Sequence, residues 1–286
     1  MIHNPTSGRG QREGLLPRVL AALAGAGADV HLRATAKRGD AEAIARAESE
    51  AGFDAVVVAG GDGTIAEVVN GLGPAAAPLG IIPLGTANVF AAEIGLKRRI
   101  DNMVQTILNG ESRIVYTGRA NGRRFLIMAG AGLDAEVVEK LPPELKRRFG
   151  KLAYVIETVR QMFCYNYPSL RIEADGVVLQ AITAVACKGR RYGGPYLFAP
   201  GADLEKDSFE LVLFEKGGPL CVALFGLALP LGLLSYIPGV RWMTAREITI
   251  TCPEGAQVQA DGDLAARLPV VIKIDPEPLA VLYPRP

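Results

Sequence analysis

The chain lacks the cysteine pattern of a zinc site or a disulfide framework. Its four cysteines are widely spaced along 286 residues and form no C-x-x-C pair. The chain also lacks an excess of either charge, and a formal net charge of +1 gives no overall attraction to nucleic acid. These absences favour a reducing, cytosolic setting and give no support for a nucleic-acid partner.

An apolar leader is also missing, because Met1 to Pro5 run straight into a loop. We therefore expect no signal peptide, although the short first strand leaves open a segment upstream of Met1. One uncharged run, from Gly217 to Val240, is long enough to raise the question of a membrane span. Prolines and glycines interrupt the run, so the pattern favours a helix at the core or at a membrane surface.

Hydrophobic periodicity divides the chain into two parts with no internal repeat. Strand and helix patterns alternate through residues 1–111, which indicates an α/β domain with a doubly wound, mostly parallel sheet. From residue 112, paired strands around tight turns, such as Ile114–Ala120 with Arg124–Ala129, predict a β-rich domain. This second domain is expected to span residues 112–286, with the last strand free to return to the first domain.

The most informative motif is Gly60-Gly61-Asp62-Gly63-Thr64, which lies between an apolar run and a helical pattern. Glycines at a strand-to-helix turn let backbone N–H groups approach a phosphate, and the helix N-terminus favours negative charge. Asp62 would repel a bare phosphate, so its presence implies a divalent cation or a proton to be removed. The motif favours phosphoryl transfer over its alternative, a glycine-rich connecting turn.

Two further loops have the same strand-to-helix position. The first is Asn4-Pro5-Thr6-Ser7-Gly8, which continues through Arg9 and Gly10 and offers hydroxyl, amide and backbone donors. The other is Pro83-Leu84-Gly85-Thr86-Ala87-Asn88, where Thr86 and Asn88 are suited either to cap a helix or to contact a nucleotide. Loops after parallel strands meet at one edge of the sheet, so we expect these three to form one site.

Together these motifs resemble the diacylglycerol kinase catalytic-domain family, which includes bacterial diacylglycerol kinases and lipid kinases related to sphingosine and ceramide kinases. The resemblance also rests on Thr35 before Gly39-Asp40-Ala41, on Glu67-Val68-Val69-Asn70-Gly71, on Gly130 to Ala135 and on Ala260-Asp261-Gly262-Asp263. It implies a nucleotide-binding first domain and a lipid-substrate second domain. ATP and Mg²⁺ would bind between them, and a lipid hydroxyl, by default that of diacylglycerol, would be phosphorylated.

The resemblance also assigns roles to residues. Nucleotide contacts fall to Asn4, Pro5, Thr6, Ser7, Gly8, Thr35, Gly60, Gly61, Asp62, Gly63, Thr64, Ile65, Ala66 and Thr86, with Glu67 supporting the loop. Asp263 occupies the position of the proposed base, usually Glu in the family, so Asp62 and Asp263 are the two catalytic candidates. A plain hairpin turn is the alternative for Asp263. Asp134 either contacts the lipid head group or caps a helix.

The segment Asp203-Leu204-Glu205-Lys206-Asp207-Ser208 resembles the one that holds the family's structural metal, partly through backbone carbonyls. Lys206 stands where the carboxylate ligand is expected, and a cationic side chain cannot ligate Mg²⁺. The site is therefore either lost or served by Asp207. Tyr116 also departs from the family, since several bacterial members have Asp there.

The resemblance implies a cytoplasmic enzyme that associates peripherally with the inner face of the membrane. It leaves open whether the enzyme forms a homodimer. Lys146, Arg147, Arg148 and Lys151 form a basic cluster that is either solvated or in contact with anionic lipid. Three other functions stay open: a sphingoid-base or ceramide kinase, an NAD kinase that shares the glycine-rich pentapeptide, and a catalytically impaired lipid- or nucleotide-binding protein.

Overall fold

The computed structural model describes residues 1–8 and 14–285, so Arg9 and Gly10 of the first loop lie outside the described residues. The side chains of Lys146, Arg147 and Lys151 in the basic cluster lie outside them as well. The chain divides into two compact units. The first unit combines Met1–Val115 with the C-terminal segment from Pro276, and the second unit is Tyr116–Asp275.

The first unit alternates strands and helices around one sheet. Its elements are β1 (Ile2–His3), α1 (Leu15–Gly25), β2 (Arg33–Ala34), α2 (Asp40–Glu48), β3 (Val56–Gly60), α3 (Asp62–Gly71), β4 (Leu79–Pro83), α4 (Val89–Glu93), α5 (Ile100–Asn109), β5 (Glu111–Val115) and the last strand of the chain, β20 (Leu279–Tyr283). The sheet order is β2-β1-β3-β4-β20-β5, parallel except for the β20–β5 pair. Every residue of β3 and β4 is buried, as expected for strands covered on both faces.

The second unit is mostly antiparallel. Its elements are β6 (Gly118–Ala120), β7 (Arg123–Phe125), β8 (Met128–Ala131), α6 (Leu133–Lys140), α7 (Pro143–Phe149), α8 (Lys151–Cys164), β9 (Leu170–Ala174), β10 (Val177–Ala181), β11 (Thr183–Cys187), β12 (Arg191–Tyr192), β13 (Tyr196–Leu197), β14 (Phe209–Phe214), α9 (Pro219–Ala228), a 3₁₀ turn (Leu234–Tyr236), β15 (Val240–Ala245), β16 (Glu247–Thr251), β17 (Gln257–Ala260), β18 (Asp263–Arg267) and β19 (Val270–Ile274).

Two six-stranded sheets form a sandwich in this unit, in the orders β10-β9-β16-β19-β6-β7 and β15-β14-β11-β8-β17-β18. The core contains side chains from both sheets, among them Leu170, Ile172 and Ile250 from one and Leu211 and Val258 from the other. The α/β class with a parallel first sheet and a β-rich second part, as predicted from the sequence, is confirmed.

Two sequence assignments are corrected. The predicted strand Ile114–Ala120 is two strands, because β5 pairs with β20 in the first sheet while β6 pairs with β19 and β7 in the sandwich. The first unit therefore ends at residue 115 rather than 111, and the last strand returns to it, which is the option left open by the sequence. The strand expected at Val30 and Leu32 lies instead at β2, where two residues pair with β1.

The long apolar segment does not form one helix. α9 ends at Ala228, and turns and the 3₁₀ helix follow it. Among the described residues, no helix is both long enough and apolar enough to cross a membrane.

Candidate functional site

The first two predicted loops meet at the carboxyl ends of β1 and β3, which are neighbours in the parallel sheet. Asn4 Nδ2 donates a hydrogen bond to Thr64 Oγ1 at 3.1 Å. Asn4 Oδ1 accepts bonds from the backbone N–H and the hydroxyl of Thr6, at 2.9 and 2.8 Å. Asn4 therefore folds its own loop and fastens that loop to the glycine-rich one. Ser7 and Gly8 follow in the same loop, and Gly8 has a positive φ of 74°.

The glycine-rich loop packs backbone to backbone against the loop that follows β4. A Cβ built on Gly85 would lie 2.5 Å from Gly61 Cα, and one built on Gly60 would lie 2.6 Å from Thr64 Cβ. A side chain at position 85 would push the two loops apart, and one at position 60 would collide with Thr64, so only glycine permits this packing. The result is a cradle of main-chain groups next to the N-terminus of α3, with Gly63 exposed on it.

Asp62 is the first residue of α3 and is half-buried. Its Oδ1 accepts a hydrogen bond from the backbone N–H of Phe90 at 3.3 Å, so the carboxylate faces the start of α4. Burial raises the pKa of the Asp62 carboxyl, and the backbone N–H groups of Asn88, Val89 and Phe90 oppose that rise. An acid with a raised pKa beside a main-chain cradle is the arrangement expected of a group that handles a proton or a cation.

Asn88 is buried at the start of α4 and does not cap that helix through its side chain. Its Nδ2 donates to the Gly85 carbonyl at 2.5 Å, while its Oδ1 has no hydrogen-bond partner in the described part of the chain. A buried amide oxygen without a donor carries a free-energy cost that a bound ligand donor would remove. Thr86, two residues earlier, is exposed.

The other predicted nucleotide residues lie around the same sheet edge. Thr35 follows β2, and its backbone N–H donates to the His3 carbonyl at 2.9 Å. Asp40 is the first residue of α2, and its carboxylate accepts hydrogen bonds from the N–H groups of Ala36 and Lys37 in the preceding turn. Ile65, Ala66 and Glu67 lie in the first half of α3, where Ile65 is buried and Glu67 is half-buried.

In the second unit, Asp263 begins β18 directly after a tight hairpin turn. Asp261 and Gly262 both have positive φ, of 50° and 83°, which fits the two-residue turn that joins β17 to β18. The Asp261 carboxylate accepts backbone bonds from Leu126, Ile127 and Met128 at 2.7, 2.8 and 3.1 Å. The hairpin alternative for this motif is correct as a description of the backbone, and Asp261 fixes the position from which Asp263 projects.

Replacing Asp261 by Ala is expected to lower the free energy of unfolding by about 3 kcal/mol, because three buried N–H donors lose a charged acceptor. Asp175 provides a matched control, since it occupies the same turn position between β9 and β10. Its carboxylate accepts the N–H groups of Arg246 and Glu247. Denaturant-induced unfolding should show a loss of stability in both Asp261→Ala and Asp175→Ala. Activity per folded molecule should fall only in Asp261→Ala. An equal fall in Asp175→Ala would mean that Asp261 does not position Asp263 for activity.

A polar network joins Asp134 to the same hairpin. Asp134 Oδ2 accepts a bond from Gln259 Nε2 at 2.6 Å, Gln259 Oε1 accepts the N–H of Gly262 at 2.9 Å, and Tyr192 donates its hydroxyl to Asp134 Oδ1. Burial raises the pKa of the Asp134 carboxyl, and the bonds from Tyr192 and Gln259 oppose that rise. Asp134 thus binds side chains of β12 and β17 rather than capping α6, whose N-cap residue is Gly132.

The segment from Asp203 to Ser208 does not fit a metal. Asp207, the predicted ligand, is exposed, and its Oδ2 accepts a bond from Arg246 Nη2 at 2.7 Å. The carbonyl oxygens of the segment converge instead on the ammonium of Lys188. Burial lowers the pKa of Lys188 to about 8, against the opposing charges of Asp203 and Asp207. No group of three His, Cys, Asp or Glu side chains within residues 1–8 and 14–285 is placed to hold a metal ion.

Sequence reasoning missed Gln259, Tyr192, Asp261 and Lys188. The sequence offered one signal for Gln259, a polar residue between the apolar residues Val258 and Ala260. In the structure these two neighbours are buried in β17, and the strand bulges between Val258 and Gln259. Tyr192 and Lys188 gave none, because their partners lie in distant segments. All four cysteines are free in the structure.

Comparisons with known proteins agree with both units. The model of the diacylglycerol kinase catalytic domain matches residues 1–120, and that of the YegS C-terminal NAD kinase beta sandwich-like domain matches residues 128–283. A diacylglycerol kinase from Bacillus subtilis is 32% identical over 277 residues, or 94% of this chain and 90% of that protein. One from Staphylococcus aureus is 33% identical over 276 residues, 94% of this chain and 87% of that protein.

A solved structure gives the same result. The crystal structure of a diacylglycerol kinase from Bacillus anthracis superposes with a TM-score of 0.77 at 26% identity, and the match covers 99% of this chain and 95% of that chain.

Proposed function

The chain belongs to the diacylglycerol kinase family of lipid kinases, and we propose that it transfers the γ-phosphoryl group of ATP to the free hydroxyl of diacylglycerol. The observation that carries this proposal is the junction of three loops at one edge of the parallel sheet. Asn4 bonds to Thr64, and Gly61 packs on Gly85. The cradle offers main-chain N–H groups to phosphate oxygens, and its three glycines leave no Cβ in the way.

The residues of the first unit suit a magnesium–nucleotide complex. Mg²⁺ binds proteins through one or two carboxylates together with substrate phosphates, and Asp62 lies beside the cradle at the first residue of α3. Bound in this way, the ion would neutralise charge that develops on the transferred phosphoryl group. Asp62 would hold the magnesium–nucleotide complex in position, while the N–H groups at the start of α4 keep its carboxylate in place.

Asp263 is proposed as the group that accepts the proton of the lipid hydroxyl. It is half-buried at the first residue of β18, on a hairpin that Asp261 fixes from one side and the Gln259–Asp134 network from the other. Phosphoryl transfer asks of a base mainly that it orient the attacking oxygen, so a firmly held short carboxylate suffices. Direct contact of Asp134 with the acceptor head group remains a prediction.

An acceptor panel tests the proposed function. The protein is incubated with radiolabelled ATP and Mg²⁺ in vesicles that contain diacylglycerol, ceramide or a sphingoid base, and a further sample contains NAD. We expect label in the diacylglycerol product. Label confined to ceramide, to the sphingoid base or to NAD would replace the proposed acceptor, and ATP binding without any labelled product would identify an impaired kinase.

We further propose that the second unit binds the inner face of the cytoplasmic membrane through α8 and α9. Helix α8 exposes apolar side chains and buries polar ones, the reverse of an ordinary surface helix. Leu152, Val155 and Phe163 are exposed. Glu157 and Gln161 are buried and hydrogen-bonded to each other at 2.6 Å. An exposed apolar stripe of this kind is typical of a surface that meets lipid.

Helix α9 and the turns after it continue the apolar surface. Leu220 is 88% exposed, Leu227 68% and Leu231 69%, and Tyr236 in the 3₁₀ turn is 78% exposed. Apolar side chains at this exposure are costly in water, and insertion among lipid acyl chains removes that cost.

The double variant Leu220→Asp, Leu227→Asp is expected to lose most vesicle binding, at least about tenfold in partition coefficient, because each buried leucine contributes about 1.5–3 kcal/mol. Sedimentation with vesicles containing anionic lipid measures it. The matched control is Val177→Asp, Val178→Asp, which changes two exposed apolar residues of β10. Equal binding by the leucine variant and the wild type would exclude this surface, and a loss of dimers without a loss of vesicle binding would identify it as a subunit interface.

A further inference from the structure

One buried ammonium group lies at the centre of the 203–208 loop. Lys188 follows β11 and is 0% exposed. Its Nζ donates to the carbonyl oxygens of Asp203 at 2.8 Å and Ser208 at 3.1 Å, and to that of Lys206. An ammonium has three N–H donors, and here all three have an acceptor from one loop.

We propose that the Lys188 ammonium is the built-in cation of this loop and takes the position at which the family resemblance places a structural metal. Three carbonyl dipoles that converge on one point in a buried site require a positive charge or donors at that point. Lys188 supplies both within the chain. The loop is therefore ordered without a divalent ion.

The acidic side chains around the loop are engaged elsewhere. Asp203 Oδ1 accepts the N–H of Glu205 at 3.0 Å, and Asp207 is bonded to Arg246. The Lys206 side chain is 66% exposed and lies 3.7 Å from Asp203 Oδ2, so only its carbonyl faces Lys188. A divalent ion at the centre would be repelled by the ammonium.

The rest of the loop is also fixed by groups of the chain itself. The Leu204 carbonyl accepts the N–H of Tyr116 at 2.8 Å, and the Ala202 carbonyl accepts Arg190 Nε at 2.9 Å. Glu210 Oε2 accepts the N–H of Gly201 at 2.8 Å and that of Ala202 at 3.1 Å. Lys188 is thus the central member of a set of internal bonds that replaces metal coordination.

The first test uses the wild-type protein without nucleotide. We expect the thermal unfolding midpoint, and the hydrogen-exchange rates of amides 203–208, to be the same in EDTA, Mg²⁺ and Ca²⁺. A midpoint that falls in EDTA and recovers with either ion, together with faster exchange in this loop, would overturn the proposal. This test does not depend on any variant folding.

The second test compares Lys188→Met with Lys206→Met. Methionine keeps the length of the Lys188 side chain but removes the donors, so amides 203–208 should exchange at least about tenfold faster. Lys206→Met removes a lysine of the same loop but keeps its carbonyl, and exchange should be unchanged. Unchanged exchange in Lys188→Met, or an equal increase in both variants, would contradict the role of the ammonium.

The third test converts the site. In Lys188→Glu, a carboxylate takes the place of the ammonium beside the three carbonyl oxygens of Asp203, Lys206 and Ser208. Mg²⁺ or Ca²⁺ should now raise the unfolding midpoint and slow exchange in 203–208, neither of which occurs in the wild type. If neither ion has any effect on a folded variant, the carbonyl cluster is not a cation position and the proposal fails.

Discussion

Replacing Asp62 by Asn is expected to lower kcat about 1,000-fold, the middle of the range for loss of a group that acts on a proton in the transition state. Asparagine preserves the size of the side chain and keeps an oxygen for the Phe90 N–H. Only the negative charge is lost. Steady-state rates of lipid phosphorylation measure the effect, and turnover above half the wild-type value would show that the charge at position 62 has no catalytic role.

The same variant should be at least as stable as the wild type at neutral pH. Burial raises the pKa of Asp62 above 3.8, so its ionised form destabilises the folded state, and the wild type loses stability as the pH rises from 3.8 through the folded pKa. Asparagine cannot ionise, so it avoids this loss of stability. Asp54→Asn, at an exposed position before β3, should change neither rate nor midpoint. A lower midpoint for Asp62→Asn at neutral pH would mean that the rate loss reflects damaged folding.

Replacing Asp263 by Ala is expected to lower kcat about 100-fold, because the attacking hydroxyl loses its proton acceptor and its orientation. Asp263→Glu should retain at least half of the rate, since the family usually has Glu there and the fixed hairpin tolerates one more methylene.

Arg267 provides the control for this hairpin, since it is exposed at the other end of β18. Arg267→Ala should keep the wild-type rate if the effect at position 263 is chemical. Full activity in Asp263→Ala would leave Asp62 as the sole acidic group in the mechanism.

Local patterns were sufficient to predict the buried strand and the glycine-rich turn at residues 56–63 of the first unit. The continuous apolar run of β3 predicts a strand buried on both faces, and the glycines after it predict a close approach of backbone to ligand. Both predictions depend only on neighbouring residues. The structure adds what neighbours cannot specify, namely that Gly61 packs on Gly85 and that Asp62 faces the start of α4.

Long-range contacts explain what the sequence could not predict. The ammonium of Lys188 meets carbonyl oxygens 15 to 20 residues away, and backbone acceptors leave no mark on side-chain identity. The boundary error at residue 111 has a similar origin, because β5 belongs to the first sheet through β20 at the far end of the chain. The inverted polarity of α8 was also hidden, since periodicity does not tell which face is covered.

Phosphoryl transfer to diacylglycerol is tested most directly by one measurement. Wild-type protein and Asp62→Asn are incubated side by side with radiolabelled ATP, Mg²⁺ and vesicles that contain diacylglycerol. We expect labelled phosphatidic acid from the wild type and about 1,000-fold less from the variant. Folded wild-type protein that binds ATP and forms no labelled phosphatidic acid would contradict it.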